Sequence, residues 1–180
     1  DEAHPCAHCR QYLSEFAATQ SLTLIDPLGH RLKMADLYPW PFDPDYLGQT
    51  GIVPGTVSHP NLMLLPNDLS VTAAEALTRL GQRSYTPYGK TPAALLLILN
   101  DGALIGGSAI ESVSFNPTVS PLQAAMIDLF AHGYAAADIA AATIAVADGA
   151  QVDYDRHAAA ALAAIAPDVP LQVLHWAPTT

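Results

Sequence analysis

The sequence has few charged residues, and among them positive charge is scarce. Charged residues make up 13% of the 180 residues, and 7 lysines and arginines stand against 17 aspartates and glutamates, giving a formal net charge of -10. Proteins that bind a nucleic-acid backbone need patches of Lys and Arg, so the composition argues against a polynucleotide partner. Long apolar runs are also missing. The longest, residues 93–99, has the length of a strand and not of a membrane span, so we expect no membrane partner.

Cysteine is equally scarce, with only 2 in the chain. Two cysteines placed close together favour a metal site in a reducing compartment over a disulfide framework, so we expect a cytoplasmic protein. Apolar residues make up 51% of the chain. A chain of this length and composition can form one complete core plus a fragment of another.

Both cysteines lie near the start of the sequence, at Cys6 and Cys9. A separation of three places two side chains on one face of a helix, and we predict that helix over residues 6–19. Leu13 and Phe16 fall on the same face, so we expect the face to be buried. A thiol at a helix N-terminus has a lowered pKa, and a pair of thiolates is a suitable ligand set for Zn²⁺.

Two other interpretations of the cysteine pair stay open. A disulfide between Cys6 and Cys9 would close a short loop and stabilise little of the chain. A redox-active CxxC pair is the second alternative, although that motif normally follows a strand. A c-type haem site is excluded because Arg10 stands where a His is needed, and a four-cysteine zinc ribbon is excluded because there are no other cysteines.

The residue before the first cysteine adds information, because Pro-Cys-x-x-Cys is the second half of the zinc deaminase signature H-x-E…P-C-x-x-C. Residues 5–11, Pro-Cys-Ala-His-Cys-Arg-Gln, resemble the cytidine deaminase family, and in particular its two-domain, homodimeric class. The resemblance extends over nearly the whole chain. It implies a zinc-dependent hydrolase of pyrimidine salvage that converts cytidine and deoxycytidine to the uridines and ammonia, with Cys6 and Cys9 as two of the zinc ligands.

The first half of that signature is missing, since no His-x-Glu occurs in the sequence. In the family this half lies upstream, where it supplies the third zinc ligand and the proton-shuttling Glu. The chain also begins with Asp1 and not with Met. We therefore expect the C-terminal part of a longer enzyme, with no catalytic residue of its own and no activity alone.

The order of predicted elements indicates an α/β fold with a mixed sheet. A short buried strand is predicted over 22–25, followed by helical turns over 32–37 and an extended piece over 62–65. The second part reads as a helix from a Thr72–Glu75 capping box to about Arg83 and a hairpin over 93–107 with its turn signal, Asn-Asp-Gly, at 100–102. Helix, strand, helix and strand follow at 120–132, 143–147, 155–165 and 171–176, and the first of these helices opens with a second capping box, Ser120–Gln123. The resemblance implies the three-layer α/β/α deaminase fold, as one complete copy plus the tail of another.

We expect three parts: 1–47, the end of the zinc-bearing domain; 48–70, a linker; and 71–180, a deaminase-like domain without zinc ligands.

An internal repeat agrees with that division. A shift of 149 residues aligns apolar positions near the start with apolar positions near the end, namely Leu13 with Leu162, Phe16 with Ile165, Leu22 with Leu171, Leu24 with Val173 and Ile25 with Leu174. The cysteines have no counterparts, since Cys6 falls on Asp155. The second copy also lacks a zinc ligand where its helix starts at Ser120.

Two loops are candidates for substrate contact across a homodimer. The aromatic and proline-rich stretch 38–44 carries Phe42, and the resemblance implies that this Phe enters the active site of the other subunit. Residues 115–118, Phe-Asn-Pro-Thr, match a family loop whose preceding residue approaches the neighbouring subunit's substrate; here that residue is Ser114, where Ala is expected. For the stretch 38–44 the alternative is a loop that packs on its own domain. For the whole chain the alternative is a metal-free dimerisation or scaffold module.

Overall fold

The computed structural model describes residues 4–177. Within this range there are five α-helices and six β-strands. The chain forms two compact units: a first unit of Asp1–Thr56 with Glu111–Thr118, and a second unit of Val57–Ile110 with Val119–Thr180. The stretch expected to be a linker, 48–70, is shared between the two units. The three-part domain division stays a prediction.

The first unit contains short elements. Helix α1, Ala7–Leu13, is followed by strands β1, Thr23–Ile25, and β2, Arg31–Lys33, and by a single helical turn α2, Met34–Leu37. Strands β1 and β2 pair antiparallel. The predicted buried strand is wrong as to burial, because Ile25 is 62% exposed in this two-stranded sheet. The predicted helical turns over 32–37 are half right, because the first of these residues belong to β2.

Helix α1 is shorter than the helix predicted over 6–19. It ends at Leu13, and the hydroxyl of Thr19 donates hydrogen bonds to the carbonyls of Leu13 and Phe16 near that end. The chain then forms a parallel bridge between Phe16 and Ile52. Since Ala17 N–H donates to the carbonyl of Ile52 at 3.0 Å, backbone pairing takes the place of further helical bonds.

The second unit is built on a four-stranded sheet in the order β4-β3-β5-β6. The strands are β3, Ala94–Leu99; β4, Leu104–Ser108; β5, Ile139–Val146; and β6, Leu171–His175. Strand β3 runs antiparallel to β4 and β5, whereas β5 and β6 are parallel. The predicted mixed sheet is confirmed. Strand β5 begins four residues earlier than predicted, because its alanine-rich start pairs with β3.

Helices cover both faces of this sheet. They are α3, Val71–Arg83; α4, Pro121–Ala131; and α5, Tyr154–Ile165. Alternate β3 residues point to opposite faces: Leu95 and Leu97 pack in the core cluster that contains α4 and α5 residues, while Leu96 packs in the cluster that contains α3 residues. A Cβ at Gly107 would lie 2.3 Å from the backbone of α4, so glycine permits this close packing. The predicted three-layer arrangement is confirmed.

Two helix starts test the predicted capping boxes. The box at Ser120 is confirmed, with Ser120 and Gln123 each bonding the other's backbone N–H. The box at Thr72 is wrong: the N-cap of α3 is Ser70, whose hydroxyl accepts from the N–H of Ala73. None of the helices between residues 4 and 177 has the length and apolar character of a membrane-spanning segment.

Candidate functional site

The two cysteines face each other at the start of α1. Cys6 is the N-cap residue, its sulfur accepts the N–H of Cys9 at 3.3 Å, and the two sulfurs lie 3.1 Å apart. Pro5 precedes the helix. Both thiols are exposed, so the expectation of a buried cysteine face is wrong. The helical face that is buried carries Gln11 and, beyond the helix end, Ser14 and Glu15.

The contact between the sulfurs separates their acidities. The hydrogen bond with Cys9 lowers the pKa of Cys6, and the same contact raises the pKa of Cys9. Two cysteine side chains in contact are a donor pair that a soft or borderline metal ion can convert to two thiolate ligands. Within residues 4–177 no group of three His, Cys, Asp or Glu side chains is placed to hold a metal ion. The donors therefore fit zinc, but this part of the chain supplies only two of them.

Arg10 fixes the backbone around the cysteine pair. Its Nε donates to the carbonyl of Pro5 at 2.8 Å, and its Nη1 donates to the carbonyl of Leu37 at 2.8 Å. The planar guanidinium presents several donors in a rigid geometry. Arg10 thus ties the residue before Cys6 to the end of α2.

Gln11 does the same for the aromatic loop that follows α2. Its side chain is nearly buried and forms two hydrogen bonds with the backbone of Phe42. Nε2 donates to the Phe42 carbonyl at 2.8 Å, and Oε1 accepts the Phe42 N–H at 3.2 Å. Oε1 also accepts the hydroxyl of Tyr38 at 2.8 Å. The ring of Phe42 stays 41% exposed and lies 5.7 Å from the ring of Tyr46. An amide held in this way fixes the backbone from which the Phe42 side chain projects.

The loop with Ser114 has an unusual backbone. Phe115 has a φ of +63° and its side chain is 67% exposed. A tight turn holds it, because Phe115 N–H donates to the carbonyl of Ser112 at 2.8 Å and Asn116 N–H donates to the carbonyl of Ser114 at 2.7 Å. Ser114 is half-buried. Bulky residues with positive φ are rare outside turns and strained sites.

All four predicted site residues lie in the first unit, and α1 links three of them, Cys6, Cys9 and Phe42. Gln11 follows Cys9 by two positions and holds Phe42, so one short helix fixes both the thiols and the aromatic ring. The sequence reasoning missed Arg10, Gln11 and Glu15. A signal was present, because polar residues at a spacing of four, Gln11 and Glu15, fall on one helical face. His8 is exposed beside the thiols.

Residues 36–159 match the family model described as the cytidine and deoxycytidylate deaminase zinc-binding region. A cytidine deaminase of Cronobacter sakazakii is 33% identical over 161 residues, which are 89% of this chain and 53% of the relative. One of Vibrio atlanticus is 30% identical over 171 residues, or 94% of this chain and 56% of the relative.

Among solved structures, a cytidine deaminase from Mycobacterium leprae aligns with a TM-score of 0.46 at 22% identity, covering 56% of this chain and 83% of that one. The chain spans about half the length of the curated relatives that it matches. The matched family region begins after the two cysteines. It contains strands β3, β4 and β5 of the second unit and ends before β6.

Proposed function

The chain belongs to the cytidine and deoxycytidylate deaminase family, and from this premise we propose that it forms part of a zinc-dependent enzyme that hydrolyses cytidine and deoxycytidine to the uridines and ammonia. The observation that carries the proposal is the pair of exposed thiols, 3.1 Å apart, on a helix whose next residues fix an exposed aromatic ring. A metal donor pair and a flat apolar surface are what a pyrimidine deaminase site requires.

In this proposal Cys6 and Cys9 are two of the protein ligands of the zinc ion. Bound zinc would supply an activated water at neutral pH. The third ligand and the proton-shuttling Glu come from residues outside the 180 present here, because no His-x-Glu occurs among them. Arg10 and Gln11 are positioning residues that hold the thiols and Phe42 in place.

Substrate contacts are proposed for Phe42 and Ser114. The 41% exposed ring of Phe42 offers a face on which a pyrimidine can stack. Ser114 stands beside the exposed Phe115 at the tip of a tight turn. We propose that both contact substrate bound to the other subunit of a homodimer.

The net charge of -10 favours free nucleosides over polynucleotides as substrates. A free nucleoside substrate agrees with a role in pyrimidine salvage in the cytoplasm, where thiols stay reduced. Nucleic acid and membranes are not among the proposed partners.

The proposal is tested by zinc content and deamination on the same preparation. We expect about one zinc per subunit once residues carrying His-x-Glu accompany this chain, and no turnover by the 180 residues alone. Cys6→Ser and Cys9→Ser should each lose zinc and activity together, because a hydroxyl is a poor zinc ligand.

His8→Ala is the matched control, since His8 is exposed between the two thiols. It should keep both zinc and activity. Zinc retention by the serine variants would contradict the ligand assignment, and full turnover by the 180-residue chain would contradict the missing half-site. Reversible Cys6–Cys9 disulfide formation without zinc binding would favour the redox interpretation instead.

A further inference from the structure

Glu15 is a buried carboxylate that the proposed reaction does not use. It lies two residues beyond the end of α1 and is 0% exposed, and its Oε2 accepts the N–H of Val113 at 2.8 Å. Burying a carboxylate is unfavourable unless hydrogen bonds compensate it, and a hydrogen bond from a backbone N–H to a carboxylate is among the stronger ones. The contact joins residues 98 positions apart in the sequence, both in the first unit.

The backbone of Glu15 is itself fixed. Its carbonyl accepts the N–H of Ile52 at 2.7 Å, and Ala17 N–H donates back to the carbonyl of Ile52 at 3.0 Å. Gly51, with a φ of +78°, packs so closely that a Cβ there would lie 2.6 Å from the Glu15 carbonyl. The side chain of Glu15 therefore starts from a fixed backbone position, and from there its carboxylate reaches the N–H of Val113.

Val113 precedes the two residues that the loop presents. Its own side chain is 0% exposed, whereas Phe115, two positions later, is 67% exposed and has a φ of +63°. Strained backbone of this kind persists where the surroundings determine it. Two anchors bracket the strained segment: the bond from Val113 to Glu15, and the bond from the N–H of Ser112 to Thr118 Oγ1 at 3.1 Å.

We propose that Glu15 is a positioning residue, whose carboxylate holds Val113 so that residues 111–118 present Ser114 and Phe115 to the substrate of the neighbouring subunit. The inference rests on the proposed function, because that function assigns this loop to the substrate. Glu15 acts through the loop and touches no substrate itself. Glu15 lies six residues after Cys9. One helix and the turn that follows it therefore hold both the thiol pair and the substrate loop.

The test compares Glu15→Ala, Glu15→Asp and Glu15→Gln in the full chain, with Ser14→Ala as the matched control. Ser14 is also buried, and its hydroxyl donates to the Gln11 carbonyl and accepts from Gln11 Nε2. Because Gln11 holds Phe42, Ser14→Ala is the control for the loop exchange and not for KM. Amide hydrogen exchange of residues 112–118 is the first measurement. Glu15→Ala should speed exchange at Val113 about tenfold or more, as loss of one buried charge-assisted hydrogen bond implies. Glu15→Asp, one methylene too short, should do nearly the same.

Glu15→Gln keeps an oxygen acceptor at the right reach and should return the loop close to its original exchange rate. In the zinc-loaded, active protein, KM for cytidine should rise about tenfold in Glu15→Ala while kcat changes by less than about threefold. Glu15→Gln should recover most of that KM. Ser14→Ala should leave the loop exchange unchanged.

Unchanged exchange at Val113 in both Glu15→Ala and Glu15→Asp overturns the proposal, whether or not the protein is active. A loosened loop with unchanged KM also overturns it. If Glu15→Ala does not fold, the contrast between Glu15→Asp and Glu15→Gln decides, and equal behaviour of these two counts against the proposal. An assembled, zinc-loaded wild-type protein that does not deaminate cytidine refutes the proposed function, and the exchange measurement then decides on its own whether Glu15 positions the loop.

Discussion

The helix–strand segment at the start of the chain and the one at its end have apolar residues at matching positions. They differ in how much of the protein packs against those residues. The 149-residue shift that places Leu13 on Leu162 pairs α1, of 7 residues, with α5, of 12 residues. Leu162 is 2% exposed and belongs to the main core cluster. Leu13 is only half-buried. The same apolar positions thus contribute very different amounts of buried surface.

The strands show the same contrast. β6 lies parallel to β5 in a four-stranded sheet, whereas β1 pairs only with β2 in a hairpin. An apolar pattern gives a buried element only where a sheet is present to cover it. In the first unit, polar side chains replace that cover: Gln11 and Glu15 are buried and fix loops through hydrogen bonds. The closing segment is held by packing and the opening segment by polar contacts.

The largest expected effect tests packing at the aligned leucines. Leu162→Ala should lower the free energy of unfolding by about 3 kcal/mol, because it leaves a cavity in a core that cannot collapse fully. Leu13→Ala, at a half-buried site, should cost about 1 kcal/mol. Urea unfolding followed by circular dichroism gives both values, and the fluorescence of the buried Trp176 reports on the second unit.

The exposed Trp40 contributes emission that changes little on unfolding, so a Trp40→Phe background isolates Trp176. Equal losses for the two leucine variants would remove the contrast between the segments. Different midpoints by circular dichroism and by Trp176 fluorescence would show that the units unfold separately.

A middle-sized effect is expected at helix starts. Ser120→Ala, which breaks the complete capping box of α4, should cost about 1 kcal/mol. Asp153→Ala at the start of α5 should stay within about 0.5 kcal/mol, because Asp153 makes no side-chain cap bond and its ion pair with Arg156, at 3.5 Å, is exposed. Thermal unfolding measures both. A larger loss for Asp153→Ala would mean that α5 depends on its start and not on its packing.

Elements with local signals were predictable from the sequence. A few neighbouring residues are enough to determine each of three features: the apolar strand β3, the Asn-Asp-Gly turn at residues 100–102 and the capping box at Ser120. The end of α1 at Leu13 and the early start of β5 were not predictable, because pairing with Ile52 and with β3 decides them. Such tertiary pairing leaves no local trace in the sequence.

The candidate site divides in the same way. Cys6 and Cys9 came from a short motif, and Phe42 and Ser114 came from the family resemblance; their roles stay predictions. The positioning residues escaped detection because their partners are far away in sequence. Gln11 bonds a residue 31 positions on, and Glu15 bonds one 98 positions on. A spacing of four on a helix face indicates burial, but it does not indicate what the buried polar group will hold.

The smallest expected effect concerns how β1 is held in a two-stranded sheet, where the hairpin turn supplies stability that neighbouring strands supply to β6. The Asp26 carboxylate accepts the N–H groups of Leu28 and His30, each at 2.9 Å, and contacts His30 Nδ1 at 2.7 Å. The hydrogen bond from His30 lowers the pKa of Asp26 from 3.8 to about 2. A lowered folded pKa means that the carboxylate stabilises the hairpin above pH 3.8, and that this stabilisation is lost as the pH falls toward 2.

Carboxyl carbon shifts from nuclear magnetic resonance should therefore give Asp26 a midpoint near 2. Amide protection factors in β1 and β2, which correct for the intrinsic pH dependence of exchange, should fall over the same pH range. Asp26→Asn should remove that pH dependence and raise exchange in the hairpin at neutral pH, while leaving the β5–β6 pair unchanged, because β6 is paired along its length and does not depend on a turn. A midpoint at 3.8 with an intact turn would mean that strand pairing alone holds β1, and the two segments would then be stabilised in the same way.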